Sequence, residues 1–315
     1  MRRGQWALRS FVAGIVFGGA SLVSGAANSA DIPTKAPVER FGCVQAVDGV
    51  NGKASGYGGS VDHNGLYGGA ASVSVPLGCE WGAQVDGSAA SFDGRFLGTV
   101  AGHFFWRDPS RGLLGIYGHY TYWDQAGGVR AVHIGPEAEW YAGRWTLQGV
   151  AGVEFGNKAT AIVGPLTQTF DVPTRFFDTV NLAYYLTDDF KMYIGHRYTF
   201  GRNAAALGGE WGIPLQRGVM AALFAEGRWG EAGTNGVWGG LKFYFGQKDK
   251  TLIRRNREDD PDDNLGLGSS SGGGGSSSPS STGGGSGCQT PARLRHHALL
   301  ANGCTPPPPP PPPPV

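Results

Sequence analysis

The sequence predicts an all-β protein: a transmembrane antiparallel up-and-down β-barrel of about 12 strands, followed by a disordered C-terminal tail. Three observations predict it. Between Asn51 and Phe245, apolar and polar residues alternate with period two in runs of about ten residues, each ending in turn residues. One parity of these runs holds many ionisable side chains, more than the buried face of a soluble sandwich would carry. The connections also sort by side. Those after even-numbered strands (VPLGCE, RDPSRG, AGR, TDDF, PLQRG) are tight, while one connection on the other side, 157–175, is long.

The elements follow in chain order. Arg2 and Arg3 precede an apolar stretch from Phe11 to Val23 and then SGAANSA, the order of a secretory signal over residues 1–30 with cleavage after Ala30. A membrane-anchoring helix needs about 20 apolar residues, and Gly and Ser interrupt this run. Residues 31–50 form an N-terminal segment on the periplasmic side. The barrel occupies 51–246, with strands expected near 51–61, 66–76, 80–91, 95–106, 112–123, 128–141, 145–156, 176–187, 190–200, 203–213, 219–229 and 236–245. In the third, Trp81, Ala83, Val85, Gly87 and Ala89 alternate with Glu80, Gly82, Gln84, Asp86 and Ser88. In the last, Val237, Leu241, Phe243 and Phe245 alternate with Trp238, Lys242 and Tyr244.

Facing acyl chains, the apolar parity places aromatics at two rims: Phe104, Trp106, Trp140 and Trp145 at one, Tyr122, Phe200 and Trp229 at the other. The inward parity then lines the lumen with the acids Glu80, Asp86, Glu137, Glu139, Glu154, Glu210 and Glu226. It adds the bases Lys53, Lys191, Arg197, Arg228 and Lys242, and His103, His119 and His133. Eight strands leave a filled interior and sixteen a water channel, so at twelve the lining decides. Mixed signs either pair across a narrow lumen and close it or line a small pore. Glu137, Glu139 and Glu154, if unpaired, favour cations.

Several pieces of the chain carry a resemblance: ADIPTKAPV after the signal, VDGVNGK, GYGGS, GLYGGAASVSVPLG, HFFWRDPSRGLLGIYGHY and LKFYFGQKDKTLIRRNREDDP. With them the chain resembles the porin-like outer-membrane barrels of rhizobia and related alphaproteobacteria. The resemblance implies a protein of the Gram-negative outer membrane and a broadly porin-like role. Phe245 resembles the closing aromatic that the barrel assembly machinery reads, although it does not end the chain. The expected surroundings are outer-membrane lipid and lipopolysaccharide.

Four cysteines in an exported chain suggest disulfides, and sequence order favours Cys43–Cys79 and Cys288–Cys304. After the barrel, 247–287 reads as a linker, first a mixed-charge block that should be solvated and then Gly/Ser coil. Residues 288–315 hold a Cys-bounded basic loop and nine prolines, Pro306 to Pro314, a polyproline II rod of about 28 Å. This tail either contacts peptidoglycan or is a neutral extension. Cys288, Cys304, His296 and His297 lack the spacing of a tetrahedral metal site.

Composition and motifs narrow the function. The net charge of +1 gives no case for a nucleic-acid partner. There is no H-E-x-x-H or phosphate-loop spacing, so neither catalysis nor a cofactor is expected. His196 shares the lipid-facing parity with Met192, Ile194 and Tyr198, but Tyr198 stands where a lipid hydrolase would offer a serine, so a girdle histidine is the better reading. Passive diffusion of small solutes comes first. A plugged structural or adhesive barrel is the alternative, and a lipid hydrolase ranks below both. Nothing assigns an oligomeric state.

Overall fold

The computed structural model describes residues 43–163, 166–231 and 234–262. The expected signal segment, Cys288, Cys304 and the proline run lie outside the described residues. Among the described residues there are fourteen strands: β1 (Asn51–Val61), β2 (Asn64–Pro76), β3 (Trp81–Phe92), β4 (Arg95–Asp108), β5 (Gly112–Trp123), β6 (Val129–Ala142), β7 (Trp145–Gly156), β8 (Lys158–Val163), β9 (Leu166–Asp171), β10 (Arg175–Thr187), β11 (Phe190–Thr199), β12 (Arg202–Pro214), β13 (Val219–Gly230) and β14 (Gly236–Phe245). One helix follows, α1 (Leu252–Glu258).

Twelve of these strands close an antiparallel barrel in simple up-and-down order, with β7 pairing directly to β10 and β14 closing on β1. The remaining two, β8 and β9, form a separate hairpin inside the connection expected to be a plain loop. The closing seam is complete, running from Gly52 against Phe245 to Val61 against Gly236. Closure leaves no unpaired strand edge, which is what lets such a sheet sit in lipid.

Local chemistry sets the turns. Asp93 and Gly94, between β3 and β4, both adopt positive φ (52° and 70°), as a two-residue hairpin with a type I′ twist requires. Phe200 is less expected at φ 53°, because a bulky side chain avoids that region. Its backbone N–H donates to Glu154 Oε2 at 2.9 Å and its ring packs edge-on to His133, so buried contacts hold it there. Phe200 therefore points into the barrel and is buried, not at the outer aromatic rim where parity alone would put it.

The outer wall is apolar. Val85, Leu114, Ile116, Ile134, Ile194, Val237 and Leu241 are all half exposed on it, with Trp81 stacked on Phe104 and Trp140, Trp145 and Trp229 outward near the strand ends. An apolar exterior around a polar interior inverts the pattern of a soluble sandwich and is the signature of a barrel in acyl chains. Inside, close approach sometimes forbids a side chain. A Cβ on Gly208 would lie 2.3 Å from the Tyr193 ring, which lies over it.

Both mouths are covered. At the end away from the chain termini, Ala159, Phe170 and Val172 of the β8–β9 connection join a buried apolar cluster with Leu66, Phe92, Leu97, Trp123 and Trp238 from the wall. At the terminal end the chain returns on itself after β14. The turn between β10 and β11 caps the start of α1, with Asp189 Oδ1 accepting from Leu252 N and Asp188 O from Ile253 N, both at 2.9 Å. Leu252 is buried against Tyr185, Met220, Ala222 and Tyr244.

This corrects the sequence reading of the mixed-charge block as the start of a solvated linker. Residues 248–262 are packed, and Lys250, Arg255, Asn256, Asp259 and Asp260 are buried. The N-terminal segment joins them. Cys43 and Cys79 form the expected disulfide, Ala46 and Val47 pack on Phe105 and Leu113, and Asp48 N donates to Glu258 O at 2.8 Å.

Candidate functional site

The interior gathers many buried ionisable groups at close range, and they divide into two layers. The middle layer is built across neighbouring strands. His103 on β4 lies between two carboxylates, with Nε2 2.8 Å from Asp86 Oδ2 on β3 and Nδ1 2.6 Å from Glu137 Oε2 on β6. Only an imidazolium has a proton on each nitrogen to serve both acceptors. His119 on β5 bonds Tyr117 and Thr121 and stacks on His133 with ring centroids 4.3 Å apart. Nε2 of His133 is 2.8 Å from Glu154, whose other oxygen is 3.2 Å from Arg175 Nε. On the opposite wall Glu226 joins Arg228 (2.9 Å), Arg197 (3.6 Å) and the Tyr193 hydroxyl.

The second layer sits at the terminal end and takes Asp260, Pro261 and Asp262 from the returning segment. Asp262 carries its carboxylate to Lys191 Nζ, at 3.2 and 3.1 Å from its two oxygens, and accepts from Gln148 Nε2 at 2.8 Å. Lys53 Nζ donates to the Pro261 carbonyl at 2.6 Å. Glu210 faces Lys191 at 3.6 Å and Lys242 at 3.4 Å, and accepts from the Tyr244 hydroxyl. Burial opposes charge on Asp262, but Lys191, Lys242 and Lys53 outweigh it and hold this carboxyl below the ordinary aspartate range. Asp260 differs: burial dominates and pushes it up. Ser74 Oγ lies 2.7 Å from both Gln84 Oε1 and Asp260 Oδ1. One hydroxyl proton cannot serve two acceptors, which fits an Asp260 carboxyl able to donate.

Of the sequence-predicted lining residues, Asp86, His103, His119, Glu137, Glu154, Lys191, Arg197, Glu210, Glu226, Arg228 and Lys242 are buried inside, and Glu139 is half-buried there beside Tyr141. Glu80 is the exception. It lies in the turn before β3, is exposed, and accepts from Trp106 Nε1 at 3.3 Å. The residue that ends an alternating run no longer obeys its parity once the backbone turns. Sequence reasoning missed Asp260, Asp262 and Gln148, and also Arg107, which is fully buried with Nη1 3.2 Å from Ala46 O. His196 lies on the outer wall, where Nδ1 is 2.7 Å from Asp178 Oδ1.

No protein-family model and no curated protein matches this sequence. Solved structures do resemble it. One is an outer membrane channel from Pseudomonas putida F1, with TM-score 0.46, 9% identity, and coverage of 64% of this chain and 97% of that one. Another is the translocator domain of the autotransporter NalP from Neisseria meningitidis, with TM-score 0.40, 11% identity, and coverage of 62% and 87%. A third is a Pseudomonas aeruginosa FadL homologue, with TM-score 0.29, 8% identity, and coverage of 62% and 88%. The closed twelve-stranded barrel is established by this chain's own strand pairing, and the roles of those proteins stay with them.

The docked segment should respond to pH. Burial, with the neighbouring Asp260, raises the Asp259 carboxyl to about 6. A group whose pKa rises on docking favours the docked state below its free value of 3.8, and loses that contribution as pH climbs to about 6. Asp48, Glu258 and Asp262, all lowered, act in the opposite sense only at more acidic pH. Docking should therefore tighten about tenfold from pH 7.5 to pH 4.5. A spin label at Arg254→Cys, with both tail cysteines changed to serine, should show its mobile fraction falling over that range. A fraction independent of pH would remove Asp259 from the account.

Proposed function

We propose that the protein is an exported outer-membrane channel for small solutes, closed at rest by its own C-terminal segment at the periplasmic mouth. One observation carries this reading. Residues 248–262 fill this mouth without sheet pairing, joined to the wall by ionic and hydrogen-bonded contacts and by the buried Leu252, with Asp262 on Lys191 and Gln148 at the tip. Such contacts exchange with water and ions at modest net cost, whereas the strand ladder does not. The apolar outer wall supports a place in lipid, and the signal-like N-terminus supports export.

A second reading has its own support. The middle layer is paired throughout, and the far mouth is covered by the β8–β9 connection, as in a permanently filled structural barrel whose tail contacts the cell wall. Single-channel recording on the full chain separates the two. The native protein should be nearly silent, and the Asp260→Asn, Asp262→Asn double variant should open at least about tenfold more often, since the lost charge-assisted bond of Asp262 to Lys191 is worth about 1.5–3 kcal/mol. Equal silence in both proteins would leave the second reading standing.

A further inference from the structure

The terminal-end layer has the composition of a ligand site. A carboxylate is held on both oxygens by one buried ammonium and on one by a half-buried amide, with a second ammonium, Lys242, sharing Glu210 beside it. Lys191 is 3% exposed and fully enclosed by wall and segment. Buried ammonium groups are costly without a counter-charge, and Lys191 and Lys242 otherwise share a single carboxylate, Glu210. Nearby Arg107 is also fully buried, and its Nε and Nη2 make no hydrogen bond. The wall thus carries more cationic donors than its own acids at this level can satisfy.

We infer that Lys191, Gln148 and Lys242 form a carboxylate-binding site, with Asp262 as its built-in ligand and a small carboxylate solute as the ligand that replaces it. The solute half of this inference rests on the channel reading above; the site itself does not. Asp262 is tethered and so competes at an effective concentration on the order of millimolar. A free carboxylate below that level leaves the segment in place, and one well above it takes the site. Both outcomes follow from one set of contacts: two ammonium hydrogens and one amide hydrogen directed at a planar anion.

Asp262→Ala removes the carboxylate while keeping Cβ, and leaves Lys191 and Gln148 without the anion they hold. Heat unfolding of the full chain in detergent, followed by gel mobility, should show Asp262→Ala shifted to a lower midpoint. Sodium acetate should restore that midpoint saturably, whereas sodium chloride at equal ionic strength should not. Adding Lys191→Met should abolish the acetate effect. Acetate that acts no better than chloride, or acts equally on the native protein and on the Lys191→Met background, overturns the site. Conductance is a separate readout. If the Asp260→Asn, Asp262→Asn channel stays silent while acetate rescues Asp262→Ala, the site stands and the channel reading fails. If it opens, its reversal potential in a potassium acetate gradient should take the sign of anion passage; the opposite sign overturns the solute assignment.

Discussion

Replacing His103 with alanine is expected to lower the stability of the barrel by about 3–5 kcal/mol, the usual cost of removing one partner from a buried ionic group. The ring separates Asp86 from Glu137 at 2.8 and 2.6 Å, and all three side chains are out of water. Without it two carboxylates face each other in a medium that solvates neither. Asp86 keeps the Gln84 amide at 2.8 Å, so Glu137 is the more exposed to the loss. The heat-modifiability midpoint in detergent reads the effect. A triple variant, Asp86→Asn, His103→Ala, Glu137→Gln, should recover part of it, because the charges leave together with their counter-ion. A loss below about 1 kcal/mol for the single change would mean that these carboxylates are not charged in the folded barrel.

Glu226→Ala should cost a similar amount, about 3–5 kcal/mol, with the sign of the exposed charge reversed. Here one carboxylate joins two guanidiniums, Arg197 from β11 and Arg228 from β13, each 3% exposed or less. The change leaves two like charges on nearby strands without their shared acid, and Tyr193 without the acceptor of its hydroxyl. Glu226→Gln retains an acceptor for Tyr193 and should lose less. If alanine and glutamine are equally tolerated, the trio is solvated and this part of the lumen contains water.

Much of this architecture was legible because a barrel writes its geometry into the chain locally. Strand ends fall within two or three residues of expectation, as for β2, which begins at Asn64 rather than Leu66, since period two and turn residues are properties of neighbours in sequence. Facing is equally local, and most of the lining follows from parity. Pairing is not. Asp86, His103 and Glu137 meet only because the registers of three strand pairs align them, and no residue type announces a register. The β8–β9 hairpin did leave a signal, the Gly164-Pro165 pair between apolar runs, which the length of the connection obscured. The returning segment left none. Its charges have the composition of a solvated linker, and Lys191 and Lys53, which hold its last residues, lie 71 and 208 residues away from their partners.

Lys53 belongs to β1 and Lys242 to β14, the two strands that meet at the closing seam; Lys53 donates to Pro261 O, and Asp262 holds Lys191, which shares Glu210 with Lys242. Partners drawn from opposite sides of a seam exist as a set only after the ring has shut. The segment is therefore expected to dock last, as a latch set once the ring has shut. Weakening it should leave the folding rate unchanged and hasten unfolding, so its contribution appears as lifetime in the membrane rather than as speed of arrival there.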